Sequence, residues 1–188
     1  MGITPAKQQS LHKSILERDV ERAREILQAN PELLDQESFP GATMNALISA
    51  VWRGDLEMAK MLVALNADPN LMINGGHKAV YWCAIRGRLE ILKHLCELTN
   101  LVYEVADMKG FTALDHAVVN GHYEVARYLH CDKNLKLKSF EFYELEKERF
   151  YGAEVDFENF LDHLKNGQET CEFIFMKVEK KARKYFSP

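Results

Sequence analysis

The fold class this sequence predicts is all-α, a single-file stack of helix pairs, and three observations carry that expectation. A pattern of small, apolar and glycine positions repeats along the chain. Glycine holds one phase of it at Gly54, Gly87 and Gly121, spaced 33 and 34 residues apart. After each glycine, apolar residues recur at helical spacing, as in Met58, Met61 and Leu62 or Ile91, Leu92 and Leu95. A period of this length has a physical meaning. Each copy holds two short antiparallel helices that cannot bury an apolar face alone, so neighbours must stack.

The clearest copy is Ala113-Leu114-Asp115-His116-Ala117 followed by Gly121, Glu124 and Val125. It returns as Ala79-Val80, Cys83, Gly87, Glu90 and Ile91, and as Ala46-Leu47, Ala50, Gly54, Glu57 and Met58. A weaker copy, Leu11-His12, Ser14, Arg18 and Glu21, opens the chain. The small residue at Ser14, Ala50, Cys83 and Ala117 lets helices approach closely. The glycine suits the left-handed turn that ends a first helix, and Arg18 in its place suits a solvated first repeat. Thr112 with Asp115 three residues on reads as a capping box. In the second copy Asn45 takes the threonine place. In the third it is held by Lys78, which lacks the hydroxyl.

The stretch Asp107–Leu129, with Gly110, Thr112, Ala113, Leu114, Ala117, Gly121 and His122 on family positions, resembles the ankyrin-repeat signature. Leu65–Asn70 (LNADPN) is similar to the turn that closes such a repeat. The resemblance implies a solenoid of helix pairs with β-hairpin-like turns. The expected organisation is ankyrin repeats over residues 6–132, divided as 6–39, 40–73, 74–106 and 107–132. A helical cap or extension is expected over 133–188. There Asp156-Phe157-Glu158 repeats the phase of His122-Tyr123-Glu124 and raises a degenerate fifth repeat at 139–167, against a helical extension without repeat geometry.

Composition excludes little else. The chain has 188 residues, 47% hydrophobic and 28% charged, as in ordinary globular domains. A formal charge of −4 argues for neither nucleic acid nor a membrane surface. No apolar run approaches the roughly 18 residues of a membrane span, and the amino terminus lacks a secretory signal pattern. The four cysteines show no paired spacing. A cytoplasmic address follows as the expectation, with the nucleus open.

Enzyme motifs are missing, so the chain is expected not to be an enzyme and to need no cofactor or metal. Gly75-Gly76-His77-Lys78 lacks the rest of a phosphate loop, and His94/Cys96 and His130/Cys131 lack the second pair of a zinc site. The expected function is a non-enzymatic adaptor or scaffold, a monomer when unbound, that holds a protein partner. Two alternatives stand beside it: a regulatory or inhibitory subunit of an enzyme, or a separate binding activity in the carboxyl-terminal third. The basic pattern over Thr170–Phe186, with Lys177, Lys180, Lys181, Arg183 and Lys184, would there meet calmodulin, an acidic partner or an anionic membrane.

The resemblance implies that first helices and hairpin tips line a concave binding face. Counted from the small residue, positions one before and two and three after should be exposed. They are Lys13, Leu16 and Glu17; Ser49, Trp52 and Arg53; Trp82, Ile85 and Arg86; and His116, Val119 and Asn120. The tips add Asn74, Gly75 and His77, then Met108, Lys109 and Phe111. Both tryptophans fall in this set, and Trp and Arg dominate interface hot spots. The competing reading makes Trp82 filler between repeats and leaves the arginines solvated. Asn70 stands where ankyrin proteins can be hydroxylated, and the competing reading gives it a turn-bonding role.

Overall fold

A computed structural model describes residues 4–72, 77–103, 106–107 and 110–136. The expected cap beyond residue 136, the fifth repeat, Lys109, Met108, Asn74 and Gly75 lie outside the described residues. Eight α-helices follow one another there, with no strand among the described residues: α1 Pro5–Glu17, α2 Val20–Ala29, α3 Ala46–Arg53, α4 Leu56–Ala64, α5 Ala79–Arg86, α6 Leu89–Leu98, α7 Ala113–Val119 and α8 Tyr123–Arg127. A 3-10 turn, Pro31–Leu33, follows α2, and a π turn, Tyr128–Asp132, continues α8. The chain divides into two compact units, Met1–Cys83 with Glu90–Tyr103, and Ala84–Leu89 with Glu104–Pro188.

In the first unit α1 packs on α2 and α3 on α4. Like then packs on like, α1 on α3 and α2 on α4. The small residues explain the close approach, since Ser14 and Ala50 are fully buried. Ile15, Leu33, Leu47, Ile48, Met58 and Leu62 fill the core around them, and each contributes about 1.5–3 kcal/mol by leaving water. In the second unit α7 packs on α8 around Leu114, Ala117, Val118, Val125 and Leu129.

Helix ends follow local chemistry. Asn45 Oδ1 accepts from the Ile48 amide (2.9 Å) to start α3. Asp19 and Asp55 do the same for α2 and α4. Thr112 and Asp115 form the reciprocal box at α7: Thr112 Oγ1 accepts from the Asp115 amide (3.3 Å), and Asp115 Oδ2 accepts from the Thr112 amide (2.7 Å). Each such cap contributes on the order of 1 kcal/mol. Gly54, Gly87 and Gly121 adopt φ of 72°, 66° and 70°. Hairpin-like turns precede the first helices, closed by Ser38 N–H to Met44 O (2.8 Å) and Asp107 N–H to Phe111 O (2.8 Å).

Arg18 adopts the same left-handed conformation, φ 59°, at the end of α1. A side chain there costs roughly 1–2 kcal/mol that glycine avoids. Its guanidinium recovers part of this through a long bond to Arg53 O (3.4 Å). Arg18→Gly is therefore expected to stabilise the fold by about 0.5–1 kcal/mol, read as a higher urea midpoint. An unchanged or lower midpoint would mean the guanidinium contact outweighs the backbone strain.

Candidate functional site

Three phases of the first helices were expected to be open, and the structure treats them differently. In the second to fourth copies the phase one before the small residue turns toward its own hairpin, whereas Lys13 is exposed and reaches Glu17 (3.7 Å) along α1. Ser49 is buried, with its hydroxyl against Ser38 Oγ (3.0 Å). Trp82 is half-buried, its ring edge-on to His77 (6.0 Å, 81°) and its Nε1 shielded from solvent. His116 Nε2 donates to Asp107 Oδ2 (2.9 Å), and that imidazole is 14% exposed. These side chains brace hairpins against helices, so the expectation that Ser49 is exposed is corrected.

Two residues after the small position, Leu16 and Trp52 are exposed, at 44% and 38%. Ile85 is half-buried. Val119 is buried at 3%, against expectation, on the side of α7 that also carries the buried Asp115. At the third phase Arg86 is exposed. Asn120 Nδ2 turns inward to His116 O (2.8 Å).

Arg53 departs from both expectations. It is half-buried, and its Nη2 donates to Leu16 O (2.8 Å), one of the unsatisfied carbonyls ending α1. The second compact unit repeats the device with another residue type. His122 Nε2–H donates to Ile85 O (2.9 Å), the carbonyl at the same phase. In both cases a side chain beside the turn position binds the last turn of another first helix.

Phe111 is a further correction. At 2% exposed it is a core residue and no surface contact. Asp107 Oδ1 accepts from its amide (3.0 Å), and its ring lies 5.8 Å from His116. Folding the hairpin base inward buries the ring that sequence position placed at a tip.

Phe39 is the residue that phase counting missed. It sits in the first hairpin, before Pro40-Gly41, and is 47% exposed. His12 of α1 meets it edge-on (5.4 Å, 72°). His12 and Leu16 are four apart and share a face of α1, while the Arg53 bond to Leu16 O holds the end of α3 beside them. The first unit therefore exposes Phe39, Leu16 and Trp52 on its hairpin, α1 and α3. Exposed apolar side chains of this kind have affinity for the apolar side chains of a partner.

Burial, and after it the Arg53 guanidinium, hold the His12 imidazole below its ordinary value of 6.5. The folded state then binds fewer protons than the unfolded chain. The stabilising contribution is complete above pH 6.5 and is lost as pH falls through the lower folded value. Wild type should lose more stability between pH 7.5 and 5.0 than His12→Gln does, measured by urea midpoints. Equal losses would refute this role for His12.

Asn70 has a bridging role instead of a local one. Its Nδ2 donates to Asn100 O (2.8 Å) and its Oδ1 accepts from the Val102 amide (2.7 Å). One loop is thus tied to the next, as Asp35 Oδ1 ties the Asp68 amide (3.1 Å).

Serial helix pairs, left-handed turns at one phase and hairpins before first helices define a helical-repeat protein. Residues 47–139 match the family model for ankyrin repeats in three copies. The chain is an ankyrin-repeat protein. It is similar to alpha-latroinsectotoxin-Lt1a of Latrodectus tredecimguttatus, 31% identical over 80 residues. That match covers 43% of this chain and 6% of the toxin's length. Ankyrin repeats support a role in protein–protein interaction, and the family is typically non-enzymatic. No helix among the described residues is long and apolar enough to cross a membrane.

Proposed function

We propose that this chain is a non-catalytic adaptor that holds a partner protein on the first-helix face of its amino-terminal repeats. The reading rests on one observation, the exposure of Leu16, Trp52 and Phe39 on α1, α3 and their shared hairpin. Exposed apolar side chains gathered together mark contact surfaces, whereas scattered ones need no explanation. Trp52 supplies the large rigid area typical of an anchor. Arg53, being bound to Leu16 O, acts by fixing the two helix ends.

Capture from cell extract tests the proposal. Wild type and Leu16→Ser/Trp52→Ser are immobilised at equal density, after circular dichroism has matched their helix content. Wild type is expected to retain proteins that the variant loses. Identical captured sets would end the assignment of this face.

A further inference from the structure

The chain leading out of α2, α4 and α6 carries carboxylates and no lysine or arginine until Lys78 and Lys109 near the far ends of the second and third loops. In residues 25–52, 61–72 and 94–103 there is no lysine or arginine, and carboxylates fall in each stretch. In the first compact unit hydrogen bonds hold these loops side by side: Asp68 N–H to Asp35, then Asn70 to Asn100 and Val102. The negative charge is concentrated enough to act on itself. Asp35 is raised above its ordinary value, first by burial, with the Asp68 charge adding to the rise and the Asp68 amide opposing it.

Beside this strip lies apolar surface that the fold leaves open. Leu98, two residues before Asn100, is 65% exposed, Met72 48% and Val102 44%. Glu97 and Asp68 are exposed next to them in sequence or along the bonded loops. Apolar surface beside carboxylates, with no lysine or arginine in residues 61–72 and 94–103 that carry it, selects a partner of opposite charge.

We propose that this loop face is a second interaction surface, whose occupant is a lysine- or arginine-rich amphipathic segment of another protein. Its apolar side chains would cover Leu98, Val102 and Met72, and its cations would meet Asp68 and Glu97. It is separate from the Leu16–Trp52 face, so one chain would hold two partners at once.

The probe is a fluorescein-labelled peptide of lysine and leucine, with leucines at helical spacing, titrated into the full chain by anisotropy. Asp68→Asn keeps the oxygen that accepts from the Asn70 amide, so Asp68→Asn/Glu97→Lys removes charge without opening the turn. That variant is expected to weaken binding by about tenfold. Glu57→Gln/Glu90→Lys changes net charge equally on α4 and α6 and should leave affinity within about twofold if position matters more than total charge. Leu98→Ser/Val102→Ser should weaken binding without any charge change. A peptide with glutamate replacing lysine should not bind. Equal weakening by both charge variants, indifference to the serine pair, or no binding by the wild type would each overturn the proposal. So would a concentration-dependent dimer that the serine pair dissolves, since a second copy would then be the occupant.

Discussion

Gly87→Ala is expected to destabilise the protein by about 2–5 kcal/mol, more than its position in a turn implies. Two costs combine. The backbone holds φ +66°, which a side chain makes unfavourable by roughly 1–2 kcal/mol. An added Cβ would also lie 2.6 Å from His122 Nδ1 and 2.9 Å from its Cγ. A Cβ does not pack that closely on any atom, so the imidazole must move, and overpacking of this kind costs about 1–3 kcal/mol. Moving it endangers the bond from His122 Nε2 to Ile85 O. Gly121→Ala separates the two costs. Gly121 has φ +70°, but a Cβ added there would meet nothing within 4 Å, so only the backbone cost of about 1–2 kcal/mol applies. Placed on a His122→Ala background, Gly87→Ala should likewise cost only about 1–2 kcal/mol. Urea midpoints of these proteins check the expectation. Equal effects at Gly87 and Gly121 would show that the imidazole yields freely.

Trp52→Ala is expected to weaken partner binding by about 2 kcal/mol, roughly thirtyfold. The indole is the largest side chain exposed on the first-helix face, and truncating it removes more contact area than any neighbour. Leu16→Ala should cost less, in proportion to its smaller apolar area. Arg53→Ala differs in kind. Its guanidinium binds Leu16 O, so its loss should appear first in stability, with affinity following through the misplaced end of α1. Calorimetric titration against the captured partner, beside urea unfolding of each variant, distinguishes anchor from brace. A Trp52→Ala protein that binds as wild type does would remove the indole from the interface.

Much of this fold is legible in the sequence because its signals are local. The capping box at Thr112 and Asp115, the Asn45 cap and the left-handed glycines depend on residues three or four apart. The candidate site is less so. Phase counting treats equivalent positions as equally exposed, yet Leu16 and Trp52 face solvent where Val119 is buried. The difference does not lie in the helices' own composition, since α3 is as apolar as α7 and yet exposes Trp52. Phe111 and Ser49 escape the count because exposure there depends on how the hairpin folds back, a contact between segments that spacing does not encode. Arg53 and His122 perform one task with different chemistry, so no repeated letter reveals it. Phe39 carries a signal, an aromatic residue just before Pro40-Gly41, but lies at no repeated phase.

The most direct test of the first-helix face is site-specific photocrosslinking in extract. A benzophenone amino acid replaces Trp52 on α3 in one protein and the exposed Glu57 on α4 in another. The account predicts a discrete crosslinked protein from position 52 and none from position 57. Crosslinks from position 57 alone would move the partner to the second helices and contradict it.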